Sequence, residues 1–89
     1  MLMDEAREAE RIQSDIEQFY ESAGKFKRAR GRKKELAEQA GRYCEDAKYY
    51  LRTKDYVSAF GCINYAHGLL DALKLLEAKN SVRRSRDKG

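Results

Sequence analysis

Apolar residues along the first third of the chain recur at helical spacing. Ala9, Ile12, Ile16, Phe19, Tyr20 and Ala23 form one stripe on a helix running from about Asp4 to Ala23. Asp4, Glu5 and Glu8 stand in its first turns, where carboxylates favour the positive end of the helix dipole. Gly24 follows the last apolar position and is expected as a left-handed C-cap. A second stripe, Leu36, Ala40, Tyr43, Ala47 and Tyr50, with Cys44 and Leu51 on its flank, predicts a helix over 32–52. A third, broader face of Ala59, Cys62, Ile63, Ala66, Leu69, Leu70, Leu73 and Leu76 predicts a helix over 56–78. Thr53, Lys54 and Asp55 make the turn between them, with Asp55 as N-cap toward Val57 or Ser58. So short a turn makes helices 2 and 3 antiparallel neighbours. The expected fold is all-α, an up-down-up three-helix bundle filling 1–79, with a frayed tail at 80–89.

Composition agrees. The chain has 89 residues and no proline, and helix formers dominate. This is one small domain with little surface to bury, so self-association would help it. No apolar run approaches a membrane span. The acidic start MLMDEAREAE has no signal-peptide core, so a cytoplasmic protein without membrane contact is expected.

The net charge of +4 conceals segregation. Residues 1–23 hold seven acids and two bases, net −5, and residues 24–34 hold seven bases and no acid, net +7. Residues 35–79 sum to −1 and residues 80–89 to +3. The connector is therefore read as mostly loop, interrupted by Gly31. Its bases, Lys25, Lys27, Arg28, Arg30, Arg32, Lys33 and Lys34, suit a phosphate backbone, with the Arg83–Lys88 tail as a second contact. A solvated loop, or a counter-surface for the acidic first helix, explains the same run without a ligand.

The hairpin from Tyr43 to Leu73 concentrates the unusual residues: five of the six tyrosines, the only histidine and both cysteines. With a turn centred at Thr53–Lys54, residues whose numbers sum to about 107 lie level. That places Cys44 beside Cys62 or Ile63, and Tyr43 beside Ile63 and Asn64. The cysteines read first as small buried hydrophobes, since no CxxC supports a metal site. Asn64, His67 and Asp71 form a polar stripe. It reads first as a seam bonding to tyrosine hydroxyls and second as half of a metal or small-ligand site. Tyr43, Tyr50, Tyr56 and Tyr65 are expected to lay their rings on the core, and Tyr49 to be exposed. Gly61 and Gly68, seven apart, read first as points of close backbone approach and second as an opening for a ligand or partner.

No P-loop, dinucleotide, nucleophile-elbow or HExxH motif is present. One helix pair with DYxxA is too little for a tetratricopeptide solenoid. The helical ribonuclease pattern needs an arginine shortly before its histidine, and none lies between Arg52 and His67.

The string YCEDAKYYLRTKDYVSAFGCINYAHGLLDA, residues 43–72, resembles an archaeal family catalogued as domain of unknown function 357. The pattern DYVxAFxxINYAHGxLDA that carries it covers Asp55–Phe60 and Ile63–Ala72. The resemblance implies a three-helix bundle and a cytoplasmic source, and it implies no activity and no cofactor. It marks Asp46, Tyr50, Asp55, Tyr56, Asn64, His67 and Asp71 for testing. The reading is a non-enzymatic interaction module. It binds a protein partner or itself through the helix 2–3 hairpin at Asp46, Tyr50, Tyr56, Asn64, His67 and Asp71. A nucleic-acid-binding accessory role is the alternative, and a ligand or metal site at His67 and Asp71 the third.

Overall fold

The computed structural model describes residues 4–88, with side chains described to Ala78. Among these residues there are three α-helices and no strand: α1 (Glu5–Ala23), α2 (Gly31–Arg52) and α3 (Tyr56–Lys88), with a 3-10 turn at Gly24–Phe26. No described helix is long and apolar enough to cross a membrane.

α1 starts where its sequence says. The Asp4 carboxylate accepts the Arg7 N–H at 3.2 Å, and Glu5 and Glu8 complement the dipole. Ile12, Ile16 and Phe19 are its buried stripe, while Tyr20 lies at the edge, 45% exposed. The exit from α1 differs from expectation. Gly24 is right-handed, φ −57°, because the chain tightens into the 3-10 turn and drops Phe26 into the core. The left-handed glycine is instead Gly31, φ +62°, where the connector turns into α2.

The hairpin turn contains a second left-handed residue, Lys54 at φ +65°. The N–H of Asp55 reaches the carbonyl of Tyr50 at 2.9 Å and that of Lys54 reaches Leu51 at 3.1 Å. This is a Schellman closure with lysine in the glycine position. Asp55 then caps α3, its carboxylate accepting the Ser58 N–H at 3.2 Å.

Ala40, Cys44 and Ala47 from α2 meet Ala59, Ile63, Ala66, Leu70 and Leu73 from α3, all buried, with α1 laid across them. The alanines let the two long helices approach closely, and most interhelical contact lies between them. Cys44, expected on the flank, is at the centre and fully buried. The Tyr43 ring rests on Tyr65, centroids 4.5 Å apart, within one residue of the expected pairing. α3 continues past its expected end near Ala78 to Lys88, since no glycine or proline interrupts residues 79–88.

Candidate functional site

The polar stripe of α3 does not assemble into a pocket. His67 is half-buried, and its Nε2–H donates to the backbone carbonyl of Asp15 in α1 at 2.8 Å. The Phe19 ring packs edge-on against the imidazole, centroids 5.9 Å apart. His67 is thus spent on holding α1 to α3, not on tyrosine hydroxyls as the seam reading expected. Asn64 and Asp71 are exposed, and among the described residues neither forms a side-chain hydrogen bond to His67. Asp46 is exposed on α2. Tyr50 and Tyr56 are half-buried, with Tyr50 set edge-on to the exposed Tyr49. Among the described residues no three His, Cys, Asp or Glu side chains converge as a metal site would need.

Both cysteines are free thiols. Burial pushes the Cys44 thiol up, and burial together with Asp46 and Asp55 pushes Cys62 up. Neither is therefore a reactive thiolate near neutral pH. Beside Cys44, the Tyr20 hydroxyl donates to Glu45, and Lys48 approaches the same carboxylate oxygen at 3.4 Å. The hydroxyl and the ammonium hold the Glu45 carboxyl below its ordinary range. The bond to Glu45, with burial, pushes the Tyr20 hydroxyl well above its usual value.

Two surfaces stand out instead. The first is the outer face of α3. Val57, Gly61, Asn64, Gly68 and Leu75 recur at intervals of four, three, four and seven on the side opposite Ala59, Ile63, Ala66 and Leu70. Val57 is 76% exposed and Leu75 70%, with Phe60 and Tyr65 flanking them at 41% and 54%. Tyr65 therefore does not lie on the core as expected. Nothing lies within 4 Å of where a Cβ would stand on Gly61 or Gly68. Among the described residues, the expected close approach of another element at these glycines is absent. Asp71 is the only charged residue between Tyr56 and Leu73, which was the legible sign of this face. Its apolar exposed residues, Val57, Phe60 and Leu75, were not singled out from the sequence.

The second surface is basic. Lys25 and Arg28 from the connector and Lys74 from α3 line a cleft of about 440 Å³ floored by Phe26 and Ala29. Lys33 pairs with Glu77 on the rim at 2.8 Å. Among the described residues no other base of the connector forms an ion pair. None of them pairs directly with a carboxylate of α1 among the described residues. α2 also begins without a side-chain cap or an acidic first turn, so Arg32, Lys33 and Lys34 face the positive dipole end. Each such placement costs about 0.3–1 kcal/mol. Lys74 was not readable as part of this cluster, because only the fold carries it to the connector.

No curated protein and no solved structure matches the chain. One family does, that described as "Protein of unknown function (DUF357)", over residues 2–78. That span includes α1, α2 and α3 as far as Ala78, so the resemblance drawn from residues 43–72 extends through α1 and the connector, and the chain belongs to the DUF357 family.

Proposed function

We propose that this domain is a non-enzymatic helical interaction module that pairs through the outer face of α3, with a second copy of the chain as the occupant. One observation carries the reading: two glycines stand in mid-helix with open space above them, on a face with almost no charge. Each weakens the helix by about 1 kcal/mol relative to alanine, and nothing packed inside the chain offsets that. A second helix seated on the glycines would bring the backbones close and cover Val57, Phe60 and Leu75.

A specific interface takes about 10% of a small protein's surface from each partner, here roughly 700 Å² of 7024 Å². The face from Val57 to Leu75 is about 27 Å long at 1.5 Å per residue. With Asp71 as its single charge, the face also meets itself with little like-charge repulsion, whereas the connector would not. Asp46 and Tyr50 fall outside this surface, while Asn64 and Asp71 lie on it or at its border.

Sedimentation equilibrium across a concentration series, at low and high salt, tests the reading. The expected result is a salt-tolerant dimer that Val57→Lys with Leu75→Lys converts to monomer while leaving helicity unchanged. A monomer at about 1 mM, where even −4 kcal/mol of association registers, would overturn self-pairing. A dimer untouched by the two lysines would move the interface elsewhere.

A further inference from the structure

We infer that the cleft between the connector and α3 is a binding site for the phosphate backbone of a nucleic acid, separate from the outer face of α3. Cations from two elements remote in sequence, Lys25 and Arg28 on one side and Lys74 on the other, converge on one concavity. Glu77, the only carboxylate lining it, is already tied to Lys33. The cleft therefore keeps a net positive charge that no anion among the described residues matches. Arg30, Arg32 and Lys34, of the same basic run, are all exposed. Seven bases within residues 25–34, more than one pocket takes up, suit a polymer charged at every unit rather than one isolated phosphate.

The apolar residues of the segment choose between polyanions. A membrane-surface segment needs an apolar face free to enter the lipid. Here Phe26 is buried and Ala29 half-buried against the bundle core, so their apolar surface stays on the cleft floor and the connector has no free apolar face to enter a lipid. Phosphate contacts without neighbouring exposed aromatic rings position a backbone and read no sequence. Binding is then expected to be sequence-tolerant and steeply salt-dependent.

Fluorescence anisotropy with a labelled single-stranded RNA and its duplex, at about 50 and 200 mM salt, reads this out. With about five phosphates engaged on a single strand, affinity falls roughly 100-fold between the two salt concentrations. Lys25→Gln, Arg28→Gln and Lys74→Gln together lower the logarithmic salt slope by about two. Arg30→Gln, Arg32→Gln and Lys34→Gln do so independently, in case the first set disturbs the connector. Arg7→Gln, Arg11→Gln and Arg42→Gln remove the same charge from exposed positions elsewhere and leave the slope unchanged. Circular dichroism on each variant reports folding. No binding at low salt overturns the inference. So does equal loss in the last set, which would make the effect one of net charge. Binding to vesicles of phosphatidylserine and phosphatidylcholine in preference to either RNA would assign the patch to a membrane surface instead.

Discussion

Replacing Gly61 and Gly68 with alanine separates what these residues do for the fold from what they do for pairing. Both lie inside α3, both are exposed, and a methyl group at either meets nothing within 4 Å. Alanine therefore adds no clash and removes the backbone entropy that glycine brings to a helix. The gain is about 1 kcal/mol per site, about 2 kcal/mol for the pair. For a domain of this size 1 kcal/mol moves Tm by about 4–8 °C, so the double variant melts about 8–16 °C higher. Thermal melts followed by circular dichroism, at protein concentrations where the chain is monomeric, measure it. At high concentration the same methyl groups stand between two α3 helices and hold their backbones apart. Any part of Tm that rises with protein concentration in the parent is then lost in the variant. A double variant that melts lower than the parent when monomeric would refute the reasoning. It would mean that the glycines are packed against something within the chain.

Other outcomes follow from single contacts. His67→Ala removes the bond to the Asp15 carbonyl and the edge contact with Phe19, and is expected to cost about 1–3 kcal/mol in urea unfolding. Lys54→Gly relieves a left-handed lysine and stabilises by about 0.5–1 kcal/mol after the entropy of the added glycine; a loss of stability on chemical denaturation would contradict the Schellman turn. The depressed Glu45 carboxyl contributes stability above the ordinary carboxylate range, and that stability is lost as pH falls through its lowered value. Tyr20→Phe removes the hydroxyl that lowers it, so the variant's stability declines less steeply on acidification, read by melts from neutral pH downward. In the parent, one tyrosine ionises later than the others in an ultraviolet alkaline titration, and that late step disappears in Tyr20→Phe.

The helices and most of their buried faces were legible because period and burial coincide. Ile12, Ile16 and Phe19, and likewise Ile63, Ala66 and Leu70, announce themselves by spacing alone. The hairpin register followed from a three-residue turn, and the Tyr43–Tyr65 contact falls within one residue of it. What escaped depends on where a neighbouring element sits. Gly24 and Gly31 look alike in sequence, and only the inward course of Phe26 decides which one turns left-handed. Gly61 and Gly68 carry no mark that tells packed from open. His67 found its partner in a backbone carbonyl of α1, and a carbonyl leaves no residue-specific trace. For the same reason the candidate set Asp46, Tyr50, Tyr56, Asn64, His67 and Asp71 proved to be scattered over several surfaces.

The uneven sharing of contacts among the helices sets the order in which the chain acquires its structure. α2 and α3 meet along their lengths across a three-residue turn, so their contacts are local and cost little loop entropy. α1 adds fewer contacts, through Ile12, Ile16, Phe19 and the His67 bond. The hairpin is therefore expected to form first, with α1 docking onto it afterwards and opening first from the native state. Native-state hydrogen exchange is expected to show α1 amides exchanging through a smaller free-energy gap than those of Ala59–Leu70; equal protection across the three helices would mean a single cooperative unit. In the α1-open form the core face of the hairpin, with Cys44 at its centre, is uncovered for as long as the first helix is away.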